Sequence, residues 1–267
     1  MEAYRYLIGE VGEVLMQENT ASLVEHLTEL RKRLIWVVAI LVLAMIGGFF
    51  AAKPIILYLM HTEPASSIVT LNTFSPWDAI RLYMQFSFAI GLVVTLPFAL
   101  TQIWLFVKPG LMEHEQKATL RYIPGAVFLF LLGLSFAYFI IFPMAFYFTS
   151  NVTQSLSLTE TYGAAQYFTF MFNILLPMAI LFELPVVVMF LTKLRILNPA
   201  RLKKLRRYAY LLLIVIATIV TPPDFISDIL VAIPMIVLYE ISIMLSARVY
   251  KDQQERDKQW LEETEGA

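Results

Sequence analysis

The sequence contains no cysteine, so disulfide bonds, thiolate metal sites and cysteine nucleophiles are all excluded. It has three histidines, which lie far apart along the chain and lack the spacing of a metal site. The segment HEQKA, which begins at His114, stops short of the H-E-x-x-H zinc motif because Ala118 replaces the second histidine. We therefore expect no metal and no other cofactor.

Motifs of the common enzyme classes are also missing. The segment GLSFA, beginning at Gly133, lacks the second glycine that a nucleophile elbow requires. No glycine-rich phosphate loop occurs, so ATP hydrolysis is not expected. We predict that the chain is not an enzyme.

Charge is scarce as well. Charged residues make up 15% of the chain, hydrophobic residues make up 59%, and the mean hydropathy is +0.69. A soluble domain carries a larger charged fraction, so this composition is typical of a membrane protein.

Long apolar runs predict an all-α integral membrane protein with six transmembrane helices. Most of the runs approach the roughly 20 residues that a helix needs to cross a bilayer. The fifth run is the short one, because only 14 residues lie between Arg207 and Pro222, about 21 Å of helix. Local bilayer thinning, shelter by neighbouring helices or a misjudged boundary would each explain it. The predicted spans are 34–52, 82–107, 122–148, 167–191, 208–221 and 229–247.

Basic residues predict the orientation, because short loops rich in lysine and arginine stay in the cytoplasm. With the N-terminus inside, only Lys53 and Arg81 of the 20 basic residues fall outside. The predicted organisation is a cytoplasmic segment 1–33, a membrane domain 34–247 and a cytoplasmic tail 248–267. Within the first segment, leucines at helical spacing predict a short amphipathic helix that lies at the interface and turns into the membrane, although a merely solvated turn is also possible.

Two glutamates interrupt apolar runs in a repeated context. The segments PMAILFE (177–183) and PMIVLYE (234–240) place Glu183 and Glu240 at the same offset from Pro-Met. Both runs are predicted to cross from outside to inside, so the two carboxyl groups should lie at similar depths. Without a cation nearby, such a group should be largely neutral and able to donate as well as accept a hydrogen bond. Chance similarity of two apolar segments remains an alternative.

The role of these carboxyl groups has two interpretations. No lysine or arginine falls inside a predicted span, but Gln85, Gln102 and Asn173 do, and each could pair with a glutamate inside the bundle. In that case the glutamates hold the helices together. Alternatively, Glu183 binds a polar group on the transmembrane helix of another protein.

Read together, several segments resemble the TatC family of the twin-arginine translocase. The resemblance covers roughly residues 22 to 250, and the combination is more specific than any single piece. The segments are HLTELRKRL (26–34), QIWLFVKPGLMEHE (102–115), FAYFIIFP (136–143), FELP (182–185), LNPARL (197–202) and TPPDFIS with IPMIVLYE (221–240).

The resemblance implies a receptor in the cytoplasmic membrane of a prokaryote, with six spans and both termini cytoplasmic. Its expected partners are folded precursors with twin-arginine signal peptides and single-span TatA-type or TatB-type proteins. Together they are expected to form an oligomeric complex, and the proton-motive force is expected to drive transport of the precursor. The lipid bilayer is a further expected partner, and nucleic acid is not.

The resemblance also assigns residues to roles. It implies signal-peptide recognition by Glu115, Phe106, Glu29 and Arg31, docking of partner helices by Glu183 and its counterpart Glu240, and an external loop with Pro222, Pro223 and Asp224. A guanidinium suits bidentate contact with a carboxylate, so a receptor that prefers arginine should present glutamate. In a solvated loop, however, Glu115 would merely balance nearby lysines.

Two other functions compete with this interpretation. A secondary transporter could use Glu183 and Glu240 as a proton relay, since broken helices and midplane carboxyl groups suit that class. The two segments run in the same direction, however, and no inverted repeat is found. An intramembrane hydrolase lacks a plausible nucleophile and base.

Overall fold

A computed structural model describes residues 2–62, 71–108, 122–221 and 225–265, with side chains described over most of these ranges from Leu27 onward. The described chain is almost entirely helical. The elements, in chain order, are α1 (Glu2–Met60), β1 (Leu71–Asn72), α2 (Asp78–Val107), α3 (Tyr122–Phe136), a π-helical turn (Ala137–Ile141), α4 (Phe142–Ser155), β2 (Tyr162–Gly163), α5 (Ala164–Leu181), α6 (Leu184–Lys193), α7 (Pro199–Val220) and α8 (Phe225–Glu265).

Five helical segments of the described chain are long and apolar enough to cross a membrane. They are Leu27–Met60, Asp78–Val107, Ile123–Ser155, Ala164–Lys193 and Asp228–Gln259. The chain is therefore an all-helical, multi-pass membrane protein. The remaining predicted span, 208–221, lies in α7, whose first two turns are basic and leave only a short apolar stretch. A count of six spans stays a prediction.

The predicted turn between an interfacial helix and the first span is wrong. Helix α1 runs without interruption from Glu2 to Met60. The reason is local, because residues 13–46 contain neither proline nor glycine that would break the helix. The helix also continues through Lys53 and Pro54, which lie beyond the predicted end of the first span.

The bundle is built around α5, which packs against α2, α3 and α7, while α6 and α7 pack against α8. Helix α1 packs chiefly on α2, and two glycines allow this close approach. A Cβ atom on Gly48 would lie 3.0 Å from the carbonyl oxygen of Ser87, and one on Gly91 would lie 2.8 Å from Cγ of Met45. At the centre, Phe86 meets Phe168 edge to face, with ring centroids 5.1 Å apart.

One end of the bundle, here the β end, is closed by a short parallel pairing of β1 with β2. Asp78 is buried there and accepts hydrogen bonds from the backbone N–H groups of Phe74 and Ser75, each at 3.0 Å. Glu160 accepts a hydrogen bond from Ser150 at 2.6 Å. Burial, together with the negative charge of Glu160, raises the pKa of Tyr162, so this phenol stays protonated and can donate.

The opposite end, here the basic end, contains the middle of α1 around Arg33, the end of α2, the α6–α7 connection and the later part of α8. Arg33, Arg195 and Arg206 all form ion pairs at this end. The alternating direction of the helices brings these distant parts of the sequence together.

Candidate functional site

Two of the predicted recognition residues lie on α1 at the basic end. Glu29 is half-buried, and its Oε1 accepts hydrogen bonds from Nε and Nη2 of Arg33, at 3.0 and 2.5 Å. Arg31 is exposed. Sequence reasoning missed Arg33, although a glutamate four residues before an arginine on a helix is a recognised pairing signal.

Arg33 also connects α1 to α2. Its Nη1 donates to Oε1 of Gln102, 69 residues further along the chain, at 3.2 Å. The predicted residue Phe106 is half-buried in the last turn of α2, four residues after Gln102, so the two lie on the same face of that helix. The structure thus brings Glu29 and the end of α2 to one surface.

An open cavity of about 470 Å³ lies at this surface. Its wall combines an acid, two cations, an amide and two aromatic rings, so it offers both ionic contacts and stacking. The lining residues are Glu29, Lys32, Arg33, Trp36, Phe98 and Gln102. We call this cavity the α1–α2 groove. Glu29 is the one acid among these lining residues, and its carboxylate can accept hydrogen bonds from a cationic group.

Four predicted residues lie outside the described part of the chain. Glu115 belongs to the segment between α2 and α3, and Pro222, Pro223 and Asp224 belong to the segment between α7 and α8. Their predicted roles stay predictions.

Glu183 lies at a break between α5 and α6. Pro185 has no N–H to donate to the carbonyl of Leu181, and the chain turns instead through a tighter bond from the N–H of Glu183 to the carbonyl of Ile180, at 3.0 Å. Glu183 then occupies the N-cap position of α6, without a side-chain capping bond. Its side chain is buried, and neither carboxyl oxygen has a hydrogen-bond partner within the described residues.

The interpretation in which span amides pair with the buried glutamates does not hold for Gln85 and Gln102. Gln85 donates to Oγ1 of Thr169 at 2.8 Å, and Gln102 accepts from Arg33. Asn173 is exposed and lines a cavity of about 630 Å³ between α4, α5 and α7. Inside the described bundle, therefore, no amide compensates the burial of Glu183.

Glu240 has a different environment. Its Oε2 accepts a hydrogen bond from Nη2 of Arg206 at 2.6 Å, and its Oε1 accepts one from the hydroxyl of Tyr210. The expectation that no cation reaches this carboxyl group is wrong, because Arg206 projects from the first turns of α7 onto α8. The neighbouring Tyr239 donates to the backbone carbonyl of Leu202 at 3.0 Å, which adds a second tie between the same helices.

A third polar group joins α6 to α8, and sequence reasoning missed it. The hydroxyls of Thr192 and Ser246 are buried and lie 2.7 Å apart. Beyond them, Nε2 of Gln253 donates to the carbonyl of Lys193 at 2.8 Å. The partner of a single hydroxyl or amide in an apolar helix cannot be predicted from the sequence, because it depends on which helices pack together.

Within the described residues, no group of three or more acidic or histidine side chains could hold a metal ion. The described chain instead has a groove lined by charged residues at one end of a helical bundle, and a buried carboxyl group without a partner among the described residues. These features define a multi-pass helical membrane protein that is equipped to bind charged and polar groups.

Comparison with known proteins specifies the family. The family model for the Sec-independent protein translocase protein (TatC) matches residues 25–234. The chain is 47% identical to the Sec-independent protein translocase protein TatCy of Bacillus subtilis (strain 168) over 239 residues, covering 90% of this chain and 94% of that protein. It is 46% identical to TatC of Halalkalibacterium halodurans, covering 91% of this chain and 96% of that protein.

A solved structure agrees. A crystal structure of a twin-arginine translocase receptor, TatC, superimposes with a TM-score of 0.71 at 34% identity, covering 83% of this chain and 97% of that chain. The chain therefore belongs to the TatC family, whose members are components of a protein-transport system rather than enzymes.

Proposed function

We propose that this chain is the receptor subunit of a twin-arginine translocase. It binds the twin-arginine signal peptides of folded precursors at its cytoplasmic face and recruits TatA-type or TatB-type single-span proteins, so that the proton-motive force drives export. Family membership supports the general role, and the α1–α2 groove at the basic end is the observation that supports the first step.

The carboxylate of Glu29 is suited to an incoming guanidinium. Arg33 holds Glu29 through Oε1 alone, so among the described contacts Oε2 stays available. A guanidinium can approach such a held carboxylate with two N–H groups, whereas a lysine ammonium lacks this planar fork. The aromatic wall, Trp36 and Phe98, adds a surface on which a guanidinium can stack.

In this proposal Glu115 supplies a second carboxylate, and Phe106 and Arg31 complete the surface. Glu115 comes eight residues after the end of α2, the helix that carries Gln102 and Phe106, and the proposal assigns it to the α2 side of the groove. Two arginines in the signal peptide would then meet one carboxylate each.

The test is binding of a labelled signal peptide to the purified chain in nanodiscs, with twin-arginine and twin-lysine peptides compared. We expect Glu29→Gln and Glu115→Gln each to weaken binding of the arginine peptide about tenfold, that is, by about 1.4 kcal/mol. Glu113→Gln, two residues before Glu115 in the sequence, is the matched control and should bind normally. Equal binding of both peptides by all variants would overturn the proposal.

We assign the recruitment of partners to Glu183. A buried carboxyl group without a partner in an apolar bundle is costly and is satisfied when a polar side chain of another transmembrane helix reaches it. Glu240 is the weaker candidate, because Arg206 and Tyr210 already occupy it. The same pairing argues against a proton relay that runs through both glutamates.

Glu183→Ala should reduce co-purification of a TatA-type partner while leaving signal-peptide binding nearly unchanged. If signal-peptide binding fell equally, Glu183 would be holding the bundle together. External-loop substitutions, such as Asp224→Asn, should leave peptide binding intact, because that loop lies on the opposite side in the proposed topology.

The proposed topology has six spans with both termini in the cytoplasm of a prokaryote. The cysteine-free sequence allows a direct test by single-cysteine labelling. Ser155→Cys, at the β end, should react with a membrane-impermeant reagent from outside, and Glu262→Cys should react only from inside. The reverse pattern would contradict the topology.

A further inference from the structure

One face of α7 is exposed along its whole length. Lys204, Arg207, Tyr208, Leu211, Val215 and Ile219 follow one another along this face, and all six are exposed. We call this face the α7 seam. The seam has a polar part at the basic end, with two cations and a phenol, and an apolar part towards the β end, with three aliphatic side chains.

The polar part of the seam carries uncompensated positive charge. Residues 184–223 contain seven lysines and arginines and no acidic residue. Arg195 and Arg206 are neutralised by acids on α8, but Lys204 forms no ion pair within the described residues. Arg207 lies over the ring of Tyr208, with its guanidinium carbon 4.7 Å from the ring centroid.

The hydroxyl of Tyr208 adds a donor to this part of the seam. Nη2 of Arg207 donates to Oη of Tyr208 at 2.8 Å. Because that bond uses the oxygen as an acceptor, the phenolic proton remains available for a further acceptor. An ammonium, a guanidinium and a phenol side by side match the oxygen atoms of a phosphate group.

The short apolar length of α7 sets the depth of these groups. Residues 208–220 span about 20 Å of helix, less than the roughly 30 Å of a hydrocarbon core. Arg206, just before this stretch, is bonded to Glu240 inside the membrane span Asp228–Gln259. Lys204 and Arg207 therefore lie level with the lipid phosphates or closer to the bilayer centre. Their positive charge attracts the phosphate groups of nearby lipids.

We propose that the α7 seam binds one anionic phospholipid. Its phosphate is held by Lys204, Arg207 and Tyr208, and one acyl chain lies along Leu211, Val215 and Ile219. The occupant is a lipid rather than a soluble phosphate compound, because the aliphatic strip continues the charged part on the same face and faces the surroundings of a membrane span.

The test is native mass spectrometry of the full chain released from mixed micelles that contain phosphatidylglycerol and phosphatidylcholine in equal amounts. We expect retained phosphatidylglycerol to exceed phosphatidylcholine on the native chain, and the ratio to fall about tenfold in Lys204→Gln/Arg207→Gln. The control, Arg248→Gln/Lys258→Gln, removes the same charge from exposed positions on α8 and should keep the native ratio. Millimolar inorganic phosphate should not displace the lipid.

A charge-preserving variant separates lipid binding from misfolding. Lys204→Arg/Arg207→Lys should retain most of the preference for phosphatidylglycerol. An equal fall of the lipid ratio in the seam and control variants would show that the attraction is non-specific. An unchanged ratio in Lys204→Gln/Arg207→Gln would indicate that the α7 seam binds a partner helix instead of a lipid. Either result would overturn the proposal.

Discussion

The segments PMAILFE (177–183) and PMIVLYE (234–240) begin alike and end in opposite situations. Glu183 stands at a helix break, with both carboxyl oxygens buried and unpartnered within the described residues. Glu240 stands within the continuous helix α8, with Arg206 and Tyr210 on its two oxygens. A shared sequence pattern therefore places both carboxyl groups in the bundle, but what surrounds each group decides what it can do.

The first cause of the difference lies two residues beyond each glutamate. Pro185 follows Glu183 and cannot donate a backbone hydrogen bond, so the helix ends and restarts. The equivalent position after Glu240 is Ser242, which keeps the backbone bond and places its hydroxyl on the carbonyl of Leu238 at 2.7 Å. One residue thus separates a helix break from an uninterrupted helix.

The second cause is the neighbouring helix. Glu240 faces α7, whose basic first turns place Nη2 of Arg206 2.6 Å from its Oε2. On the other side, Phe182, the residue before Glu183, packs on α3 against Gly133 and the ring of Phe136, and neither carboxyl oxygen of Glu183 has a partner within the described residues. Helix α7 thus supplies Glu240 with its cation, while nothing in the described bundle does so for Glu183.

The largest effect is expected from removing the partner of Glu240. Arg206→Ala leaves a carboxylate without its cation in the membrane, and this should lower the free energy of unfolding by about 3 kcal/mol. Reversible unfolding in mixed micelles would measure it. Arg207→Ala, next in sequence but without an acidic partner among the described residues, should change stability by less than about 0.5 kcal/mol. Equal effects of the two variants would contradict the assigned ion pair.

A smaller effect is expected on the Glu183 side. A Cβ atom on Gly133 would lie 2.7 Å from Cβ and Cγ of Phe182, so Gly133→Ala should displace the residue before Glu183 and cost about 2 kcal/mol. Gly125→Ala is the matched control, because a Cβ there meets nothing within 4 Å. If Gly133→Ala proved as harmless as Gly125→Ala, the packing at the break would be looser than described.

The smallest effect concerns the contact between α6, which follows Glu183, and α8, which contains Glu240. Thr192 on α6 and Ser246 on α8 share a buried hydroxyl contact. A double-mutant cycle with Thr192→Val and Ser246→Ala should give a coupling energy of about 0.6 kcal/mol, the usual size for such bonds in membrane proteins. A coupling energy indistinguishable from zero would mean that the contact does not hold the helices together.

Much of this architecture could be predicted from the sequence. Apolar length predicted the membrane class, and the odd carboxylate in an apolar run pointed to Glu183 and Glu240. The pairing of Glu240 could not be predicted, because Arg206 lies outside every predicted span and reaches α8 only after α7 has packed. The continuity of α1 was missed because an amphipathic pattern suggested a turn where no residue breaks the helix.

The groove at the basic end shows the same limit. The spacing of Glu29 and Arg33 follows a local rule and was available from the sequence. The bond from Arg33 to Gln102 was not available, because it joins positions 69 residues apart and exists only when α1 and α2 run side by side. Local chemistry could be predicted from the sequence, whereas contacts between helices required the fold.

The most direct test compares the same substitution at the two matched positions. Glu183→Gln and Glu240→Gln both remove an ionisable group while preserving shape. We predict that Glu240→Gln lowers the free energy of unfolding in mixed micelles by about 2 kcal/mol, because it weakens a charge-assisted bond, and that Glu183→Gln changes it by less than about 0.5 kcal/mol. Equal losses, or a larger loss at Glu183, would contradict the claim that Glu240 is paired and Glu183 is open.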